Sequence, residues 1–392
     1  MANFTERHKK SALNIRQYSM LIALVVIMVL FQVLTNGILL KPQNVTNLIL
    51  QNSYVIVLSV GMLLCIVSSG SIDLSVGSIV AFIGALLGVM IVQHQMNVWL
   101  AIILSLLVGA LIGIWQGFWI AYVRIPAFIV TLAGMLVFRG LTQYVLQGMT
   151  LTPFPQEFLG ITSGFLPNIG GGKLNLTTYL LGTACIVIYI VSETKKLKSK
   201  KKRGFSLPSP GAFWGKTALV SAAIALFTVW LANYKGIPIL LVILLILVIV
   251  YSYYTSKTVP GRHLYAMGGN EKAAILSGIN TKKALFFTFV NMGVLAALGG
   301  IVFTSRLQAA TPTAGQNFEM DAIAACYIGG ASAMGGSGTI IGAVIGALVM
   351  GVLNNGLSIM GVGSDITQTI KGLVLLAAVI FDVVSKRNSK PA

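Results

Sequence analysis

Twelve apolar stretches run the length of this chain, and all but one are 17 residues or longer. They fall at about 20–36, 53–69, 74–92, 98–121, 127–146, 176–192, 217–233, 237–254, 284–304, 320–333, 338–357 and 366–384. A helix needs roughly 17–25 apolar residues to cross a bilayer. Within lipid the backbone must satisfy its own hydrogen bonds, so such stretches become helices. Composition agrees: 56% of the 392 residues are apolar, 9% are charged, and the mean hydropathy is +0.88. The expected fold is an all-α, polytopic integral membrane protein with 10–12 transmembrane helices. The tenth stretch is short and glycine-rich, so it is expected to cross only in part or to re-enter.

The net charge of +18 would suggest nucleic acid in a soluble chain. Here the position of the charges excludes that reading. Four basic residues precede position 18, Arg124 follows the fourth stretch, eight lie in 194–217, five in 255–283 and three after Ser385. With twelve crossings these all fall on one side, against only Lys41, Arg139, Lys173, Lys235, Arg306 and Lys371 on the other. The positive-inside rule then makes both termini, the 194–217 loop and the 255–283 loop cytoplasmic. The first apolar run reads as a retained anchor, because it is long and lacks a small-residue cleavage site. The run Lys195–Arg203 reads as a solvated loop touching anionic headgroups of membrane lipid.

Catalysis finds no footing. Nine acidic residues and three histidines form no acid–base pair or metal-ligand spacing, so neither an enzyme nor a metal site is expected. Cys65, Cys185 and Cys326 lie in apolar stretches and read as packing residues. The segment Gly211–Thr217 approaches a phosphate-binding loop. It has three residues where four are needed between the glycines, and no strand precedes it. This chain is therefore expected to bind no ATP and no cofactor of its own.

Polar interruptions mark candidate functional sites. Ser68–Gly77, with Asp73 and Ser75, breaks an apolar span. It is either a kink beside a translocation path or a cytoplasmic turn in which Asp73 caps the next helix. Asn291, Asn354, Asn355 and Gln368 are uncharged and intramembrane; they line a polar path or bond helix to helix. The glycine faces Gly329–Gly338 and Gly342–Gly351 read as close-packing surfaces, within the chain or across a dimer. Asn44 is a possible helix cap, and Lys371 is expected to snorkel outward. A faint internal similarity relates Gly109–Gly134 to Gly346–Gly372, with Asp73 and Asp321 ahead of the two units. It suggests one transmembrane domain over 1–392, with inverted repeats at 53–147 and 284–385. An extra loop and helix pair would occupy 148–236, and a cytoplasmic loop 255–283.

That last loop is far longer than two neighbouring helices require. Its core, Gly261–Lys283, reads GRHLYAMGGNEKAAILSGINTKK. Asn270 can cap a short helix, Glu271 suits its first turn, and Gly278 can close it in a left-handed conformation. Ala273, Ala274, Ile275 and Leu276 give that helix a small apolar side suited to docking on a partner.

This segment resembles the coupling loop of permease subunits of bacterial sugar ABC importers, in the ribose, xylose and multiple-monosaccharide group. The shared pattern is G-R-x-x-Y-A-x-G-G-N-x-x-A-A-x-x-S-G-I-N. Ser71–Gly77 (SIDLSVG), Asp321–Gly336 (DAIAACYIGGASAMGG) and Gly351–Gly356 (GVLNNG) extend the match over roughly 47–382. The resemblance implies a type II importer fold in the bacterial inner membrane and a path formed by two permease copies. It also implies a separate ATPase that hydrolyses ATP and an extracytoplasmic sugar-binding protein that delivers a monosaccharide. By that resemblance Gly261, Arg262, Gly268, Gly269, Asn270, Glu271, Ala273, Ala274, Ser277 and Gly278 couple to the ATPase. Arg306, Arg139 and Lys41 would meet the binding protein, unless Arg306 instead pairs locally with Glu319 or Asp321. The extra helix pair favours xylose or several sugars over ribose. The rival reading is a secondary active sugar transporter. It would need an intramembrane carboxylate, and Asp73, Glu319, Asp321 and Asp365 are all expected at helix ends.

Overall fold

The computed structural model describes residues 20–170, 175–205 and 207–387, with side chains through Ile380. The basic residues before position 18, Lys173 and the end of the tail, which entered the charge argument, lie outside the described residues. The chain folds as α1 (Met20–Leu34), α2 (Pro42–Ser69), α3 (Val76–Leu87, continued by a π-turn to Gln93), α4 (Val98–Ala121) and α5 (Ala127–Leu146). Then come α6 (Gln156–Ser163), α7 (Leu176–Lys202), α8 (Pro210–Ala232) and α9 (Ile239–Lys257). After these follow α10 (Val259–Gly269), α11 (Glu271–Leu276), α12 (Thr281–Leu307), α13 (Phe318–Ile328), α14 (Ile340–Ile359) and α15 (Ser364–Arg387). Among the described residues nine helices are long and apolar enough to span a membrane, so this is a multi-pass membrane protein. Of the other apolar stretches, α13 is short, as expected for the tenth stretch. Its stretch is helical for only 11 residues, about 16 Å of rise. It then unwinds through a glycine-rich turn at 329–338.

Burial sorts the helices into a centre and a rim. α2 buries 83% of its apolar window, whereas α7 buries 11% and α8 22%. α2 is wrapped by α12, α13, α14, α10 and α9, while α7 and α8 pair mainly with each other. Leu180, Ile188, Leu219 and Leu226 on that hairpin face outward, where lipid suits them. The cationic run expected to be a loop is helical: α7 continues through Lys202, with Glu193 pairing Lys196 at 2.7 Å. The Gly211–Thr217 segment forms the first turns of α8, capped by Ser209, and so makes no phosphate loop. Asn44 is not a cap. Lys41 holds that position at the start of α2, and Asn44 donates to the Leu39 carbonyl instead.

Two unwound segments shape the middle. After α2, Gly70 turns left-handed and the non-helical residues 71–75 fold back along α2; the Asp73 N–H reaches the sulfur of Met62 at 3.4 Å. Met62 lies seven residues from the end of α2, about 10 Å of rise, so α3 begins well inside the bundle. Asp73 therefore lies in no surface turn, and the first turn of α3 starts from Ser75 without a side-chain cap. From the opposite face, residues 308–317 descend after α12. Their Ala310 pairs with Leu151 through two backbone hydrogen bonds of 3.0 Å, and α13 starts at Phe318. The second segment meets the first turn of α3 at Gly315 and Gly77, where a methyl group on either would overlap the carbonyl oxygen of the other. Close packing recurs where α4 crosses α12, with Gly109 and Gly113 against Gly293 and Phe289. Gly329 and Gly342 pack together the same way within the chain.

This contact generates a test. Gly77→Ala should lower the melting temperature of the detergent-purified protein through overpacking of about 1–3 kcal/mol. Gly140→Ala, on a helical position with open space around it, should be neutral or slightly stabilising. Equal melting temperatures for Gly77→Ala and the parent would show that the second segment and α3 do not touch.

Candidate translocation core and coupling module

A chain of polar groups holds the first unwound segment. One Asp73 carboxylate oxygen accepts the Ser75 N–H at 2.9 Å and the Ser75 hydroxyl at 2.6 Å. The amide of Gln116 on α4 then donates to the Ser75 oxygen at 2.7 Å. Asp73, Ser75 and Gln116 are fully buried, and the second Asp73 oxygen and the Gln116 carbonyl oxygen find no hydrogen-bond partner among the described residues. The second segment is held from α5. Arg139 donates to the carbonyl of Ala314 at 2.6 Å and of Pro312 at 3.4 Å.

A buried ion pair lies on the other side of α13. Lys371 of α15 meets Asp321 at 3.0 Å, and the Tyr54 hydroxyl of α2 donates to the same carboxylate at 3.3 Å. The Tyr54 ring stacks on Phe318 with centroids 3.9 Å apart. Lys371 thus turns inward to an anion rather than snorkelling outward. Neither Glu319 nor Asp321 pairs with Arg306; the cation on Asp321 is Lys371.

The long loop between α9 and α12 is a folded module of two helices rather than one. Thr258 caps α10 and Asn270 caps α11, each accepting a backbone N–H three residues on, at 3.1 and 3.0 Å. Gly278 has φ +82°, the left-handed closure that glycine favours. The module is tied down at three points. Gly268 packs on the carbonyl of Val67 at the end of α2. The Tyr265 hydroxyl donates to the Gly338 carbonyl at 2.9 Å. Arg124, between α4 and α5, meets Glu271 at 2.9 Å. The hydrogen bond from Arg124 holds the Glu271 carboxyl below the usual carboxylate range. This contact is therefore complete at neutral pH and is lost only as pH falls through that lowered value.

The chain matches a family model described as branched-chain amino acid transport system / permease component, over residues 44–379. The chain belongs to that family. The xylose transport system permease protein XylH of Haemophilus influenzae is 39% identical to this permease over 381 residues, 97% of this chain and 99% of that protein. The protein of the same name from Escherichia coli is 38% identical over 380 residues, 96% and 94% of the two chains. The ribose import permease protein RbsC of Bacillus subtilis is 36% identical over 356 residues, 91% and 89%. No solved structure matches the chain.

The geometry divides the candidate residues of this permease by what they touch. In the coupling module Arg262, Gly269, Asn270, Glu271, Ala273, Ser277 and Gly278 are exposed. Gly261 and Ala274 are buried and Gly268 is packed on α2, so these three build the module rather than its outer surface. The exposed side of this helix differs from the one expected: Ala274 faces in, while Ala273, Ile275 and Leu276 face out, Leu276 at 89% exposure. Asn355 and Asn44 exchange two amide hydrogen bonds, at 2.8 and 3.2 Å, and so clamp α14 to α2. Asn291 Oδ1 accepts the Tyr251 hydroxyl, and its Nδ2 is buried without a partner. Asn354 is half-buried with a free carbonyl oxygen, Gln368 is exposed on α15, and Lys41 is exposed at the start of α2.

Sequence reading passed over Gln116, Tyr54 and Arg124 and misplaced Lys371. A lone amide in an apolar helix was the visible signal for Gln116, the same signal that marked Asn291. The partners of Tyr54, Arg124 and Lys371 lie 267, 147 and 50 positions away, and no local pattern reports them.

Removing one member of the buried pair should cost more than removing both. Lys371→Met leaves the Asp321 carboxylate without its cation and should destabilise the protein by about 3–5 kcal/mol. Lys371→Met combined with Asp321→Leu should recover much of the loss in thermal melting. A double variant no better than the single one would mean that the pair does not exist as described.

Proposed function

We propose that this chain is the membrane permease subunit of an ATP-driven monosaccharide importer, with xylose as its favoured sugar. The observation that carries the reading is the near-full-length kinship with two xylose permeases, at higher identity than with the ribose permeases. The folded module between α9 and α12 supports it: a compact, capped unit with outward apolar side chains on a six-residue helix suits a groove on a partner. In this reading the partner is the ATPase, which binds and hydrolyses ATP, while a separate binding protein delivers sugar on the opposite face. In this reading two permease copies form the path in the bacterial inner membrane, and the bias of basic residues favours a cytoplasmic position for both termini. Of the path candidates, Gln368 keeps an exposed amide available to sugar hydroxyls, whereas Asn354 hydrogen-bonds Asp321 and its carbonyl oxygen is buried.

Pairwise packing supports an inverted repeat within this reading. α12 lies on α4 as α2 lies on α14, and α3 lies on α5 as α13 lies on α15. The rival, a secondary transporter, is no longer disfavoured by the position of its acids. Glu319 and Asp321 stand in the first turn of α13, a helix end as expected, but with Asp73 they are buried inside the bundle. What speaks against it is the kinship with permease components of transport systems.

Expression with its ATPase and binding protein in cells lacking xylose import should restore uptake of labelled xylose. Uptake driven by a pH step in liposomes holding this chain alone would instead favour the rival. Leu276→Arg should leave a folded permease that no longer copurifies with the ATPase and imports no sugar. Copurification and uptake at parental levels would remove α11 from the docking role.

A further inference from the structure

A groove beside the module borders both candidate sites, with Gly278 of the module and Asn291 of the path candidates on its wall. It has a volume of about 800 Å³ and lies between α9, α10 and α12, open at its mouth and along one flank. Its mouth carries His263 of α10 and Lys283 of α12, and none of its lining residues is acidic. Deeper in, the walls are Val250, Tyr254 and Phe287. Val250 and Phe287 are each 54% exposed, so the flank opens toward the surroundings of the helices rather than into the bundle. At the closed end the Tyr251 hydroxyl donates to Asn291 Oδ1, which engages those two polar groups with each other.

The groove's length narrows the choice of occupant. From Asn280 at the mouth to Asn291 at the closed end, α12 rises eleven residues, about 16 Å. That is half of a hydrocarbon core about 30 Å thick, or one leaflet. A cation-bearing mouth, an apolar shaft one leaflet deep and a flank open to lipid match one amphiphile: an anionic head on an acyl chain. Lysine is a strong phosphate partner with three rotatable donors, and basic pockets beside membrane helices take anionic headgroups.

We propose that this groove binds one anionic phospholipid, with its phosphate at Lys283 and His263 and an acyl chain along Val250, Tyr254 and Phe287. Only the naming of the leaflet, the cytoplasmic one, rests on the orientation proposed above. The lipid spans α9, α10 and α12, which carry the coupling module on either side, and so braces that module against the membrane helices.

The test uses the full chain, purified in detergent and delipidated, with phosphatidylglycerol or phosphatidylcholine added back in mixed micelles. Native mass spectrometry should show one phosphatidylglycerol retained per chain, with a raised melting temperature, and no such retention of phosphatidylcholine. Lys283→Glu should weaken retention at least tenfold. Val250→Trp, which fills the shaft while keeping it apolar, should block it with the charges intact. Equal retention of the two lipids, or parental affinity in both variants, overturns the proposal. So does equal protection by glycerol phosphate, which has the head and no chain, or a cross-link from position 283 showing a second copy in the groove. None of these readouts requires transport or the ATPase, so failure here leaves the functional reading standing.

Discussion

Backbone that leaves a helix inside a membrane protein must find partners there, because lipid offers none. The core of this protein is arranged around two such departures, 71–75 and 308–317. Each enters the bundle from an opposite face as non-helical backbone, 308–317 mostly as turns, and each ends where a new helix begins at depth. The meeting of the second with the first turn of α3, at Gly315 and Gly77, requires backbone against backbone, with no room for a side chain. Partners come from elsewhere in the bundle: Met62 for the Asp73 N–H and Gln116 for the Ser75 hydroxyl on one segment, Arg139 and Leu151 on the other. Polar residues that look costly in an apolar chain are therefore what permit the helices to break.

The same economy of charge explains how α15 is held. It packs mainly on α13 and α14 and is otherwise at the edge. Its lysine reaches an aspartate that is almost wholly buried, and Tyr54 shares that carboxylate. Such a pair adds little net stability, yet breaking one side leaves a charge stranded. It fixes which face of α15 turns inward, and so which face, with Gln368, turns out.

The module between α9 and α12 joins these parts. α10 is seated on the end of α2 and on the turn that follows α13, while α11 reaches the α4–α5 connection through Arg124 and Glu271. The module thus touches both halves of the bundle. The exposed Arg124–Glu271 pair contributes little energy by itself. The packed glycine contacts supply the rigidity, since interiors at close-packed density transmit displacement rather than absorb it.

Much of this was legible in the chain before any fold was known. Apolar length alone determined the membrane class, because a helix must span about 30 Å of hydrocarbon. The caps Asn270 and Gly278 announced α11, because capping is a contact between residues three or four apart. The tertiary structure decided what depends on distant neighbours. It placed Asp73 inside the bundle rather than at a surface turn, turned Lys371 toward Asp321, gave Asn355 to Asn44, and faced Ala274 inward while leaving Leu276 out. A helical sequence records which residues share a face, and it does not record which neighbour that face will meet.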